Sequence, residues 1–291
     1  NFKSSSDLDV CLSSIIIHEK EYLSYEFIVV DNNSDDEGLS LLKDKYPFVQ
    51  FINAPRNGGF AYGNNIGISH AHGDIVFLLN PDTWMKDSAI SKLLQRITSD
   101  DNIDIIGPQL FFPDGSNQSY YHPKTHLTLW RLFCEQFYLH RVFWFSKVFN
   151  SYFRTYMDYS AETNVEQLSG AAFMFKKSVI ERIGLLDESY FMYFEESDFC
   201  LNAIKNSMKL LYYPEAKIIH KGGLSSVSKS SFSTVCFYNS FKYYFIKNYN
   251  YIISFFAVMI LFIGTLIRVL YFRALRNDKY IYYKNLIKNF V

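Results

Sequence analysis

Residues 75–82 read IVFLLNPD, an apolar run that ends abruptly in Asn80-Pro81-Asp82. Five consecutive apolar residues, led by the β-branched or aromatic Ile75, Val76 and Phe77, predict a buried strand. Proline has no N–H to give a sheet ladder, so the strand must stop at Pro81. Asp82 then stands just beyond the carboxyl end of a buried strand, where open α/β sheets bind their ligands. A carboxylate there suits a divalent cation held against a diphosphate. It suits equally well the N-cap of a following helix, and this segment alone does not separate the two.

Outward from this strand, the first half of the chain alternates strand-like and helix-like segments. FIVV at 27–30 is a short strand ending at Asp31, and 39–45 is helical. A strand at 49–52 leads through Asn57-Gly58-Gly59-Phe60 into a helix at 63–71. After the strand at Ile75 come a helix at 88–99 and a strand at 103–106. Further on, 171–175 is strand-like, 178–183 is a short helix closed by Gly184, and 197–207 is helical. Strands at 210–213 and 217–220 flank Pro214. This alternation implies βαβ units: an α/β fold with a mostly parallel sheet flanked by helices. Right-handed crossovers would set Asp31 and Asp82 on one edge of it.

Lys+Arg and Asp+Glu both number 29 in the 291 residues, a formal charge of +0. That balance argues against a nucleic-acid partner, which calls for a basic surplus. Aromatic residues make up 19%, with many of the 23 Tyr and 28 Phe in the second half. Such an excess suits a membrane interface, a sugar, or core packing. Cys11, Cys134, Cys200 and Cys236 have neither metal-ligand spacing nor disulfide-framework density, which fits reduced thiols in the cytoplasm.

Two segments depart from the α/β pattern. Residues 127–153 mix aromatic and basic side chains, as in an amphipathic helix on a membrane surface, along an acceptor groove, or packed on the main domain. Residues 251–267 form an almost unbroken apolar run that could extend to Phe272, near the lower limit for crossing a bilayer. Lys242 and Lys247 precede it; Arg268, Arg273, Arg276, Lys279, Lys284 and Lys288 follow it. A single span from a cytoplasmic catalytic half would carry the more basic flank to the wrong side. An in-plane or re-entrant helix on the cytoplasmic membrane face is therefore favoured over a single-pass one. The expected organisation is a catalytic domain over 1–240, with 127–155 as a membrane- or acceptor-facing insertion, and a membrane-associated helical tail over 241–291.

Four segments carry the chemistry: IVVDNNSDDEG (28–38), RNGGFAYGNNIG (56–67), LLNPDT (78–83), and the set SGAAFMF, GLLDESYFMYFEESDFC and PEAKIIHKGG between 169 and 223. In this order and spacing, over about residues 1–245, the chain resembles the inverting nucleotide-sugar glycosyltransferases of family 2, and among them the rhamnosyltransferase-like branch. The resemblance implies a GT-A fold. It also implies transfer of a sugar, such as rhamnose from a dTDP donor or a sugar from a UDP donor, to a glycan or lipid-linked acceptor in surface-polysaccharide synthesis.

Residue by residue, the resemblance gives Asp31 to the nucleotide base, a role suited to an acceptor-only carboxylate. An Asx turn is its bland alternative. Arg56, Asn57 and Gly58 would face the phosphates and Asn65 the donor. Asn80-Pro81-Asp82 falls on the family's Asp-x-Asp element, with Asn80 an uncharged donor contact and Asp82 the main ligand to Mg²⁺ or Mn²⁺. Glu195-Glu196-Ser197-Asp198 falls on the Glu-Asp-x-Asp element. That places the catalytic base on Glu196, where Asp is more usual, with Asp198 as the alternative. His220 would be a metal ligand or a diphosphate contact.

At the start, Asn1-Phe2-Lys3-Ser4 matches the tail of the family's first strand, and 7–16 the helix that follows. The strand itself is missing. The expectation is a chain short of one central strand, with exposed strand edges and impaired activity. Two other readings stand beside the enzyme: an inactive membrane-bound fragment serving as an assembly partner, and a sugar-phosphate nucleotidyltransferase.

Overall fold

The computed structural model describes residues 1–20, 24–118, 123–222, 231–277 and 279–288. The elements in chain order are α1 (Ser5–His18), β1 (Phe27–Asp31), α2 (Gly38–Lys45), β2 (Val49–Asn53), α3 (Gly59–His70), β3 (Ile75–Leu79), β4 (Thr83–Met85), α4 (Ala89–Thr98) and β5 (Ile105–Phe111). Then follow α5 (Leu129–Gln136), α6 (Leu139–Val142), β6 (Thr163–Asn164), β7 (Ala172–Lys176), α7 (Lys177–Ile183), α8 (Glu195–Lys205) and β8 (Leu210–His220). Helices α9 (Ser231–Asn248), α10 (Tyr251–Ala274) and α11 (Lys279–Ile287) end the chain. It divides into two compact units: 1–124, 158–188 and 195–222 form the first, and 125–157, 189–194 and 223–291 the second.

In the first unit, β1 and β2 form a parallel pair, and a six-stranded sheet runs in the order β3-β7-β5-β8-β4, with β6 beside β8. The α/β class and flanking helices are as expected, but the sheet is mixed rather than mostly parallel. Within it only β5 and β8 pair in parallel, whereas β3–β7, β5–β7, β4–β8 and β6–β8 are antiparallel. Strand alternation shows where extended segments lie, not where the chain re-enters the sheet. β5 and β3 end on the same edge, and the chain returns to that edge at Ala172, opposite Leu79. β7 must therefore run backwards between them.

β7 is buried on both faces, and its alternation feeds two cores. Phe173 and Phe175 pack with Leu78, Leu210 and Phe199, while Ala172 and Met174 pack with Leu93, Ile97 and Ile218. That explains the unbroken apolar run at this position. The strands read separately around Pro214 are one strand, β8. Its register against β5 jumps from Pro108–Tyr213 to Gln109–Lys217, so residues 214–216 are accommodated as a bulge.

A distant carboxylate holds α4 in place. Ser88, at the N-cap of α4, makes no side-chain cap. Glu19, fully buried beyond the end of α1, takes that role by accepting from Ile90 N (2.7 Å), Ser91 N (3.2 Å) and Ser91 Oγ (2.6 Å). Orphan N–H groups and the positive end of the helix dipole both favour an anion there.

The second unit is helical. The amphipathic helix expected over 127–153 is broken: α5 stops at Gln136, Tyr138 takes a left-handed φ of 58°, and only the short α6 follows. Segment 125–157 belongs to this unit, and the boundary expected at 240 falls inside α9. The reason is aromatic packing: Phe237, Phe241 and Tyr244 of α9 surround Phe194 at ring separations of 5.7, 6.0 and 5.3 Å.

Among the described residues α10 is the one helix long and apolar enough to cross a membrane, with a mean hydropathy of 2.5 in its most apolar window. Its inward face is the small and polar one: Ser254, Ala257, Gly264, Thr265 and Arg268 are buried with Leu261. Phe255, Phe256, Met259, Leu266 and Leu270 are exposed. Arg268 donates to the Glu135 carboxylate (3.0 Å) and to the carbonyl oxygens of Glu135 (2.9 Å) and Gln136 (3.3 Å) at the end of α5. A Cβ on Gly264 would lie 2.6 Å from Gln136 Oε1, so only glycine permits this approach.

Replacing the buried cap should destabilise the first unit. Glu19→Ala is expected to cost about 2–4 kcal/mol, because two charged hydrogen bonds to α4 N–H groups are lost together. Urea denaturation of the variant beside the wild type measures the loss.

Candidate active site

The strand directions bring the chemistry to one edge. β3, β5 and β8 run the same way, so Asn80 after β3 and His220 at the end of β8 emerge together. β4 then starts beside His220, with Thr83 paired to it. Pro81 frees the backbone from the ladder, and the neighbouring segments take up its polar groups. Asn80 N donates to Ala171 O (2.9 Å), and Thr83 Oγ1 donates to Asn80 O (2.7 Å). Lys221 N donates to Asp82 O (2.9 Å). Asp82 is thus pinned from both sides, buried, with Oδ1 3.5 Å from His220 Nε2. Asp82 caps no helix here, because β4 follows it directly.

His220 is held in turn by Gln118, which the sequence reading missed. Gln118 is buried, its Oε1 is 3.2 Å from His220 Nδ1, and its Nε2 donates to His220 O (2.6 Å) and Phe111 O (3.3 Å).

Asp82 and His220 supply one oxygen and one nitrogen donor at short range, a set that fits Mn²⁺ or Mg²⁺. Among the described residues no group of three or more His, Cys, Asp or Glu side chains converges on a metal position. A cation here would therefore draw its remaining ligands from water and a bound diphosphate. Asn80, half-buried beside Pro81, stands two residues before Asp82.

The acidic start of α8 comes to the same place through residues 169–171. Ala171 O holds Asn80 N, and a Cβ on Gly170 would lie 3.5 Å from the Glu196 side chain and 3.6 Å from Phe60 of α3. Gly170 thus joins the Asn80–Asp82 turn, Glu196 and the glycine-rich entry to α3. Glu195 is buried, and its Oε2 has no hydrogen-bond partner. Burial pushes its carboxyl well above the usual range, and the neighbouring Glu196 adds to the shift. Burial raises Glu196 too, while Lys124 pulls it back. Asp198 is buried one turn further on, and the intervening Ser197 accepts from Gln167 Nε2 (2.7 Å). Tyr193 and Phe194, just before α8, both have left-handed φ, 74° and 70°. Two successive bulky residues in that region are a costly way to begin a helix.

The remaining predicted residues divide. Asp31 is buried and ties down the following turn, accepting from Ser34 N three residues on (3.0 Å), from Ser34 Oγ (2.5 Å) and from Asn1 Nδ2 (3.0 Å). Only one of these bonds falls on Oδ2, which keeps a lone pair for a ligand N–H. Arg56 is exposed and stacks over Tyr62 at 4.5 Å. Asn57 Oδ1 accepts from Gly59 N (3.1 Å). Asn32, which sequence reasoning passed over, clamps this loop by accepting from Gly58 N (3.3 Å) and donating to Gly59 O (2.7 Å). Asn65 does not present its amide to a donor. Both N–H bonds go to Leu186 O (2.8 Å) and Glu188 Oε1 (2.9 Å), and its oxygen accepts from Leu186 N (3.1 Å). Its place on the buried side of α3 makes it a brace for the 184–188 loop. Gly223, the last residue of the matched motifs, lies outside the described residues.

Comparisons with known proteins fit this arrangement. The sequence profile described as Glycosyl transferase family 2 matches residues 1–184. The low-salt glycan biosynthesis hexosyltransferase Agl10 of Haloferax volcanii is 29% identical over 64% of this chain and 55% of its own length. The N-acetylglucosaminyl-diphospho-decaprenol L-rhamnosyltransferase of Mycobacterium tuberculosis is 24% identical over 66% of this chain and 65% of its own. The chain thus spans a little over half to about two thirds of the length of these relatives. Among solved structures, the mannosyltransferase PcManGT of Pyrobaculum calidifontis, in complex with GDP-Man and Mn²⁺, superposes with a TM-score of 0.58 at 12% identity, covering 100% of this chain and 85% of that one. The structure of Staphylococcus aureus TarS 1–349 gives 0.54 at 14% identity, over 84% and 62%. These likenesses show a GT-A-like fold. With a family match over residues 1–184, more than half of its length, the chain belongs to glycosyl transferase family 2.

Proposed function

We propose that the chain is a metal-dependent, inverting glycosyltransferase that moves a sugar from a nucleoside diphosphate to a glycan or lipid-linked acceptor. A deoxyhexose such as rhamnose, carried on dTDP, is the favoured donor, in keeping with the rhamnosyltransferase among the relatives. The carrying observation is the shared edge: Asp82 and His220 meet at 3.5 Å, and Gly170 links their turn to Glu196.

Asp31 Oδ2 accepts from the base, and the first turn of α3, beyond the Gly58 and Gly59 N–H groups held by Asn32 and Asn57, offers its backbone N–H groups to the phosphates. Arg56 adds a mobile positive charge, and Asn80 an amide oxygen. Asn65 acts through the loop it braces. Asp82 and His220 would hold the cation, which when bound would supply Lewis-acid neutralisation of charge on the leaving diphosphate. Glu196 takes the proton of the acceptor hydroxyl as that oxygen attacks C1 from the face opposite the diphosphate. The new C1–O bond forms as the old one to phosphate breaks, and configuration inverts. Glu195 keeps a second negative charge away from this step by holding its own proton, as coupled carboxylates do. Asp198 lies on the same helix as the alternative base.

The second unit is read as the membrane-associating part. α10 turns its apolar side outward and its polar side to α5, the reverse of a soluble helix. Breaking the Arg268–Glu135 pair to stand α10 upright would strand a charge in hydrocarbon. An in-plane position at the cytoplasmic face keeps that pair, and Arg273, Arg276, Lys279 and Lys284 then sit close to anionic headgroups.

Asp82→Asn should abolish metal-dependent transfer, and Glu196→Gln should lower kcat by at least about a hundredfold while leaving donor affinity unchanged. Titrating nucleotide-sugar binding beside turnover separates the two effects. Because the base must be ionised and its carboxyl is raised by burial, the acid limb of kcat/KM should lie above the ordinary glutamate range. The stability effect has the opposite sign. A raised folded-state value for Glu195 stabilises below the ordinary glutamate pKa, and that contribution is lost as pH rises through the raised value. Glu195→Gln should therefore flatten the fall of melting temperature with rising pH. In sealed vesicles carrying the full chain, a C-terminal tag should stay on the same side as the catalytic unit, which protease accessibility reads directly.

A further inference from the structure

We infer that Gln118 is a positioning residue that fixes the tautomer of His220 and so turns the Nε2 lone pair toward the cation held with Asp82. This rests on the metal-site reading above and adds the residue that prepares one of its two protein donors.

The argument begins with the backbone. β5 ends at Phe111, and the chain turns back on itself: Phe112 N donates to Ser116 O (2.8 Å), and Gln118 N to Leu110 O (2.9 Å). Gly115, at φ 83°, makes the turn possible. Phe111 is in register with Ile219 of the parallel β8, so this hairpin delivers Gln118 beside His220.

Two carbonyl oxygens then decide which way the amide faces. Nε2 lies 2.6 Å from His220 O and 3.3 Å from Phe111 O. A carbonyl can only accept, so this end must be the NH₂. The other end, at 3.2 Å from His220 Nδ1, is therefore the oxygen, which also only accepts. Nδ1 must carry the hydrogen. In the neutral ring the remaining nitrogen, Nε2, is then a bare lone pair, and it faces the Asp82 carboxylate at 3.5 Å. Two acceptors facing each other at that distance repel unless a cation joins them. An outer hydrogen bond that sets the tautomer of a metal-bound histidine is a general device, and its loss costs about 10–100-fold in metal affinity.

Long-range ¹⁵N–¹H spectra of the full chain labelled at histidine, free of metal and on the alkaline side of the histidine titration, read the tautomer. The His220 signals are identified by their absence in His220→Ala. The expected result is Nδ1–H with an unprotonated Nε2. Gln118→Met should shift the ring to Nε2–H and weaken Mn²⁺ binding, read by electron paramagnetic resonance with Mn²⁺ alone, by about 10–100-fold. A wild-type His220 protonated at Nε2 overturns the inference with no variant needed. So does Gln118→Met with unchanged tautomer and affinity. The metal-site reading fails separately, and takes the inference with it, if Asp82→Asn and His220→Ala bind Mn²⁺ as tightly as the wild type.

Discussion

The candidate site depends on how the backbone at the end of β3 is satisfied. Pro81 ends the ladder, and a buried backbone cannot leave its polar groups unpaired. Ala171, at the start of β7, takes the N–H of Asn80; Lys221, just after β8, supplies the N–H for Asp82 O. The Asn80–Asp82 turn is thereby tied to two strands that lie far away in sequence. Each tie imports chemistry, with His220 arriving with β8 and Gly170 with its contact to Glu196. A helix-capping aspartate would need none of this. The polar groups around Asp82 hold it in place and set it beside His220.

The same economy of polar groups runs through the buried acids. Glu19 is neutralised by the N-terminus of α4 and serves structure alone. Glu195 has an oxygen with no partner and Glu196 beside it, so burial and repulsion raise its pKa. Burial is the shared condition, and hydrogen bonding separates the structural carboxylate from the pair proposed for the reaction. In the second unit Arg268 meets Glu135 on a face made of small and polar residues, and the apolar side chains of α10 point out. This arrangement is what the proposed in-plane position at a membrane rests on.

Much of the site was legible before the fold. The short apolar strands, the proline stop, the glycine-rich loop and the acidic cluster are local features, and local sterics and propensity determine them. Asp82, Glu196 and His220 became candidates through the resemblance that the order of these features carries. Asn65 shows the limit: its type and position suited a donor contact, but Leu186 and Glu188 use both of its N–H bonds. Gln118, Asn32 and Lys124 carry no local signal, because each matters only through a partner distant in the chain. The break at Tyr138 was hidden as well, since a left-handed tyrosine is stabilised by surroundings rather than by its own preference.

By itself the sequence determined most element types, from short-range rules: where a chain can be extended, where it must turn, and which side chains can ionise. The order and spacing of four motifs carried the resemblance to the family and, with it, the candidate site residues. Only the tertiary structure decided strand direction, the mixed sheet, the single β8 with its bulge, and the assignment of 125–157 to the helical unit. It also decided which polar side chains were spent on the protein and which remained for a ligand. Direction, register and hydrogen-bond satisfaction belong to pairs of residues far apart in the chain, and no single segment contains both members of such a pair.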